Sequence, residues 1–236
     1  MRTDAFEADT IVVDLLAGIA HSKTTTLVIK TNFLGIFPYP HTTDITTFSQ
    51  FVTALRKKYS GTITLLEAEF ADIAWSTSIL TDNFDLLFTH KLTLAQANKE
   101  IRHRISSSSH TFFLPKTWSD ADIRISFTPA VKHIHHHNSW VHAGIYNVGT
   151  LLTENDEDLG TIPKSAHTSL LETSFSRYYN AVLASHKQYP FYSVIDAREI
   201  GLTDAHDEIP QAKKGPGIFF GNDPKSVDTE FTSSLV

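Results

Sequence analysis

Two hydrophobic periods alternate along this chain. The runs TTLVIK, TITLLEAE, TFFLP, ADIRISF and YPFYSVIDA are short, rich in β-branched and aromatic residues, and read as strands. Between them lie stretches whose apolar residues return every three or four positions. Residues 43–59 are the clearest: Ile45, Phe48, Phe51, Val52, Leu55 and Tyr59 share one face, and Thr43 or Asp44 stands at the cap. Arg56, Lys57 and Lys58 close that helix where its dipole favours cations, and Gly61 stops it. Strand 25–30, this helix and the strand from Thr62 make a βαβ unit, so the two strands run parallel with a right-handed crossover. The loop at 32–42 then sits at the carboxyl end of the first strand, where open α/β sheets bind ligands.

The remaining elements follow the same logic. Residues 4–20 read as a helix with Asp4 and Glu7 at capping-box spacing, although Ile11, Val12 and Val13 favour a strand. A strand is expected at 84–88. Thr93 and Gln96 form a capping box ahead of a helix carrying Leu94, Ala97, Ile101 and Ile105, and the serine run that ends at His110 reads as a flexible joint. Residues 165–186 trace an apolar stripe through Ala166, Leu170, Leu171, Phe175, Tyr178, Tyr179, Val182 and Leu183. Beyond the strand that ends at Asp196, a polar excursion over 198–214 leads to Gly215-Pro216-Gly217, and Asp223-Pro224 has the form of an N-cap with proline at the first helical position. The acidic patch 154–158 reads as a surface loop. No internal repeat is present. The fold class expected is a single α/β domain over residues 1–236, with a mostly parallel open sheet and helices on both faces.

Composition adds mainly exclusions. With 236 residues, 41% hydrophobic and 19% charged, the chain is long enough to bury a full core. A formal charge of -6 argues against nucleic acid as a partner, which demands basic surface, although 13 histidines titrate near neutrality and would reverse that sign in mild acid. The absence of cysteine excludes disulfides, thiolate zinc sites and any cysteine-ligated iron–sulfur cluster held by this chain. The longest apolar run near the start is short and carries Asp14, so no membrane is expected, and the acidic beginning is unlike a secretory signal. Cytoplasm is the expected compartment.

Chemistry concentrates after the strand at 123–127, where Pro129 leads into Lys132, His133, His135, His136, His137 and His142. In an extended segment His133, His135 and His137 share one face, and an i, i+2 pair is able to hold one divalent transition metal. The outer two would stand roughly 13 Å apart on a straight strand, so a complete site would borrow His142, Asp122 or another carboxylate. An exposed histidine loop without a physiological metal fits the same residues. Lys30 and Asn32 flank the end of the first strand, where a lysine holds a phosphate or carboxylate as a point charge and an amide orients it. Thr42 and Thr43 offer hydroxyls and N–H groups at a helix start, an anion site that plain capping explains equally well. Gly215 and Gly217 permit close backbone approach by a ligand, or simply a surface turn. Asp196, closing a buried strand, is the best-placed carboxylate for a general base or a metal ligand. No Walker loop, nucleophile elbow, GxGxxG or HExxH motif occurs.

Four segments taken in order resemble one family. They are Ile29-Lys30-Thr31-Asn32, Thr42-Thr43-Asp44, the stretch 120–133 running from an aspartate through an apolar strand to proline and Lys132-His133, and Gly215-Pro216-Gly217 followed by Asp223-Pro224-Lys225-Ser226-Val227-Asp228. Their order and spacing over 5–232 resemble the prokaryotic domain of unknown function three-six-two, whose members are often found beside ferredoxin-type iron–sulfur modules. The chain departs from that pattern by having Lys132-His133 where the family has Lys-Thr-His, and Tyr146-Asn147 where it has Lys-Asn. The resemblance implies an α/β fold, a pocket shared by these motifs with Asn147 among its residues, and a separate iron–sulfur protein as a partner. It implies no particular reaction.

The expectation is therefore an enzyme or enzyme-like protein binding a small anionic molecule. Lys30, Asn32, Thr42 and Thr43 would hold the anion, Lys132 and His133 would supply acid–base or metal chemistry, and Asp196 would be the partner carboxylate. The alternatives are a non-catalytic metal-handling or redox-partner accessory domain, and a chain whose histidines act only as a pH-sensitive surface.

Overall fold

The structure, a computed structural model, describes residues 1–3, 6–17, 25–33, 39–67, 87–93, 97, 102–107, 110–131, 143–152, 175–202 and 211–235. Its strands are β1 (Arg2–Thr3), β2 (Thr26–Lys30), β3 (Thr62–Glu67), β4 (His90–Thr93), β5 (Arg102–Ser107), β6 (His110–Pro115), β7 (Ile123–Val131), β8 (Tyr192–Gly201) and β9 (Ala212–Gly221). Its helices are α1 (Ala8–Leu16), α2 (Ile45–Lys58), α3 (Lys116–Ser119), α4 (Ala143–Gly149), α5 (Phe175–Gln188) and α6 (Pro224–Ser233).

One seven-stranded sheet runs in the order β1-β9-β8-β7-β2-β3-β4. The five strands from β8 to β4 are parallel, while β9 and β1 add antiparallel at one edge. From β2 the chain moves outward through β3 to β4, then returns to the other side of β2 with β7 and β8. The order therefore reverses between β2 and β7, and a crevice at such a reversal opens outside the carboxyl ends of the strands.

Because helices cover both faces, the central strands read as continuous apolar runs rather than alternating ones. One face carries Leu27, Ile29, Ile63, Leu65, Ile125, Phe127 and Val194 against α1 and α2, with Phe48 edge-on to Phe33 and Phe127. The opposite face sets Val28 and Leu66 against Ile145 and Val148 of α4, Tyr178 and Val182 of α5, and the separate β5–β6 hairpin. On that same face, α6 packs Val227 and Phe231 on Ile195 and Phe219. The expected single α/β fold with a mostly parallel sheet and helices on both faces is the observed one. No described helix is long and apolar enough to cross a membrane.

Several boundaries move. The helix expected from Thr93 to Ile105 gives way, over its last residues, to β5; Arg102–Ser107 pairs with His110–Pro115 because Ile105 alone faces the core while Arg104 and Ser106 face out, a period of two. The serine joint is consequently part of a hairpin, with Ser107 opposite His110. Among the described residues the helix expected over 4–20 runs from Ala8 to Leu16, and its N-cap Glu7 makes no side-chain capping bond. The polar excursion after Asp196 begins later than expected, since β8 continues to Gly201. The early part of the helix expected at 165–186, most of the strand at 84–88 and the acidic patch at 154–158 lie outside the described residues.

Candidate functional site

The carboxyl end of β2 carries Lys30 into the interior, fully buried. Its register partner across the reversal is Ser126 of β7, and both side chains turn towards α4. Asn147, in the second turn of α4, joins them: its amide nitrogen donates to the Lys30 carbonyl at 3.0 Å and to Ser126 Oγ at 2.9 Å, while its Oδ1 accepts from Lys30 Nζ at 3.2 Å. Lys30 Nζ also donates to the Thr31 carbonyl and lies 3.7 Å from Glu67 Oε1, at the end of β3. The Thr31 hydroxyl donates to the other Glu67 oxygen. Burial pulls the Lys30 amine below the usual lysine range, and the facing Glu67 carboxylate partly offsets that.

Asn32, Thr42 and Thr43 come together a residue or two further on, where the ends of the 32–42 loop are tied. The Asn32 N–H donates to Thr43 Oγ1 at 3.1 Å, the Thr43 N–H donates to the Asn32 carbonyl at 2.9 Å, and the Thr42 hydroxyl donates to the same carbonyl at 3.3 Å. The cap of α2 is Asp44, whose carboxylate accepts from the Thr46 and Thr47 N–H groups at 3.3 and 3.2 Å. The start of α2 is thus filled by the chain's own anion.

Asp196 sits elsewhere. Along β8 it shares a face with Tyr192 and Val194, on the α2 side of the sheet, whereas Lys30 faces α4 with Val28. Arg198 grips it from two positions along the strand, Nε to Oδ1 at 2.9 Å and Nη2 to Oδ2 at 2.7 Å, and the Tyr39 hydroxyl donates to Oδ1 at 3.0 Å. Arg198 Nη2 reaches on to Thr47 Oγ1 at 2.5 Å and Asp44 Oδ2 at 3.4 Å. The bond to Asp196 raises the arginine above its ordinary value, and burial with the neighbouring carboxylate raises the Tyr39 phenol. This cluster fastens the α2 cap and the loop before it to β8.

Gly215 and Gly217 lie in β9 opposite a bulge in β8 between Ala197 and Glu199. A Cβ at Gly215 would stand 2.0 Å from the Ala197 carbonyl oxygen, and Gly217 has φ 124°, a conformation that side chains rarely adopt. The close approach at these glycines is that of the neighbouring strand.

Lys132, His133, His135, His137 and His142 lie outside the described residues; Lys132 follows Val131, the last residue of β7. Among the described residues no three histidine, aspartate or glutamate side chains gather as a metal site. The sequence reading passed over Glu67, Ser126, Tyr39 and Arg198. Glu67 was findable as a carboxylate closing the apolar strand beside β2, and Arg198 as the same-face neighbour of Asp196 at i+2.

No protein-family model and no curated protein matches the sequence. Among solved structures, this chain is similar to the lactate racemase apoprotein from Thermoanaerobacterium thermosaccharolyticum, at 14% identity and a TM-score of 0.49 over 97% of its own length. It spans 55% of that protein. So distant a likeness carries neither ligand nor reaction across.

Proposed function

We propose that this α/β protein is an enzyme or enzyme-like protein that binds a small anionic molecule at the carboxyl edge of its sheet, on the α4 side of the reversal between β2 and β7. One observation carries the reading. A buried lysine–carboxylate pair costs several kcal/mol per ion in lost hydration, of order what well-packed apolar residues would avoid, so its retention where such sheets bind ligands favours function over packing. Lys30 would supply the positive charge beneath the anion, Asn147 would hold the amine in place, and the Asn32, Thr42 and Thr43 turn would form the wall. Lys132 and His133, which come next in the sequence after Val131, would supply proton transfer. His133, His135 and His137 would be the ligands of any divalent metal. The family resemblance adds a separate iron–sulfur protein as a partner, and the setting we propose is cytoplasmic.

The test is a thermal-shift screen of phosphorylated and carboxylated metabolites. Wild-type protein should be stabilised by at least one compound, and the double variant Lys30→Met/Glu67→Gln, which removes the pair without stranding a charge, should lose that response. No stabilising compound, or an unchanged response in the double variant, ends the reading. Stoichiometric metal in untagged protein that disappears in His133→Ala/His135→Ala, together with a silent screen, would move the assignment to the metal-handling alternative.

A further inference from the structure

The first turn of α4 is held by a carboxylate from the far end of the chain. Asp228 of α6 is fully buried, and its Oδ1 and Oδ2 accept from the Gly144 and Ile145 N–H groups at 2.9 and 3.0 Å. The helix start is pressed close here. A Cβ at Gly144 would lie 2.1 Å from Ser193 Oγ of β8 and 3.3 Å from Asp228 Oδ1, so a side chain here would have to displace the Ser193 hydroxyl. One residue before Ile145's turn closes, the Gly144 carbonyl accepts from Ser126 Oγ at 3.2 Å, and Ser126 in turn accepts from Asn147. An unbroken series of hydrogen bonds therefore runs from Asp228 through α4 and Ser126 to Asn147 and Lys30.

We propose that Asp228 is a proton-operated positioning residue: ionised, it grips both N–H groups of the α4 start and seats Asn147 against Lys30; protonated, it gives up part of that grip and the seat loosens. This deepens the anion-site reading and rests on it for its functional consequence. Among the described residues no cation pairs with the Asp228 carboxylate. From α5 it faces the Tyr179 phenol, which burial pushes up with the help of Asp228 and Asp223, while His186 of that helix interacts with Asp223. From β8, Ser193 brings a neutral hydroxyl to the same Gly144 position, buried and without a hydrogen-bond partner among the described residues. From β9, Phe219 and Gly221 pack against Val227 of the same helix as Asp228, α4 contributes Tyr146 packed towards the α5 core, and α6 itself has Asp223 at its cap and Lys225 and Glu230 exposed. Burial pushes the Asp228 carboxyl up to about 7, against the two N–H bonds that lower it. Because the folded chain holds this proton more tightly than the unfolded one, stability contributed by protonated Asp228 is lost as pH rises from the ordinary carboxyl range towards 7.

The experiment is an amide NMR titration of the full chain from pH 5 to 8.5. The Gly144 and Ile145 N–H resonances should move together with a midpoint near 7, the Asn147 side-chain NH2 should follow the same midpoint, and Asp228→Asn should abolish all three. Static Gly144 and Ile145 resonances would overturn the proposal, as would a titration that leaves Asn147 unmoved. Should Asp228→Asn not fold, Asp228→Glu should keep the titration with a displaced midpoint; an unaltered midpoint there would assign the proton to another group and overturn it too. Sulfate, whose charge is constant over this range, probes the consequence. Between pH 6 and 8 the wild type should gain sulfate affinity relative to Asp228→Asn, and equal pH profiles would sink the regulatory claim. Sulfate that binds at no pH would count against the anion site, while the Asn147 resonances still decide the clamp.

Discussion

The carboxyl edge of the sheet carries two polar clusters, and they are built on different terms. On the α4 face, Lys30 and Glu67 form a buried ion pair completed by Thr31, Asn147 and Ser126. On the α2 face, Asp196 is clamped by Arg198 and Tyr39, and the arginine continues to Thr47 and Asp44 at the helix cap. The second cluster explains itself structurally: Arg198 holds Asp196 within β8, and the pair is tied to Tyr39 and to the start of α2. The first joins the ends of β2 and β3 and Ser126 of β7 to one short helix, where the strand order reverses. A polar network with an evident fastening role and one without it, a few residues apart on opposite faces, are different grounds for assigning function. Only the network without a fastening role, the one around Lys30, points to a ligand.

Substitutions should separate the two. The largest effect is expected from Lys30→Met alone, which strands the Glu67 carboxylate in the interior and should cost about 3–5 kcal/mol in urea unfolding; in Lys30→Met/Glu67→Gln most of that loss should return. A cost below about 1 kcal/mol for the single variant would mean that the pair is not desolvated as described. Next comes Asp196→Ala, which releases the bidentate Arg198 and should cost about 2 kcal/mol while leaving any ligand response intact. If it abolished the ligand response instead, the two faces would be one site. Gly217→Ala tests whether the β9 glycines serve the strand pairing: the φ of 124° makes a loss of about 1–2 kcal/mol expected, again with ligand response preserved. Smallest is Asp44→Ala, worth about 1 kcal/mol as a lost N-cap, to be read from the same unfolding curves.

Much of the fold was legible because local and global signals agree in it. The stripe and cap of α2, the apolar runs of β2, β3, β7 and β8, and the Asp223-Pro224 start of α6 all appear where periodicity and capping place them. What escaped was held by long-range contacts. The sequence of α4, AGIYNVG, has two glycines and β-branched residues, poor helix formers, and its cap comes from Asp228 rather than from a neighbour. Over Arg102–Ser107, Ile105 fits a helical spacing with Ile101 and Ala97, yet the hairpin partner strand decides the conformation. The β9 strand hides behind Gly215-Pro216-Gly217, a turn signal overridden by pairing to a bulged β8. For the site, Lys30 and Asn32 were visible as polar residues ending an apolar strand. That Asp196 lies on the opposite face was not, because the face depends on the register between β7 and β8, which no single segment encodes.

The central claim is that anions bind on the Lys30 face and not on the Asp196 face. A sulfate titration followed by amide NMR reports both at once, since each cluster has its own described backbone groups. Concerted shifts at Thr31, Glu67 and Asn147, with Asp44, Thr47 and Arg198 still, are the predicted result; shifts confined to Asp44, Thr47 and Arg198 would contradict it.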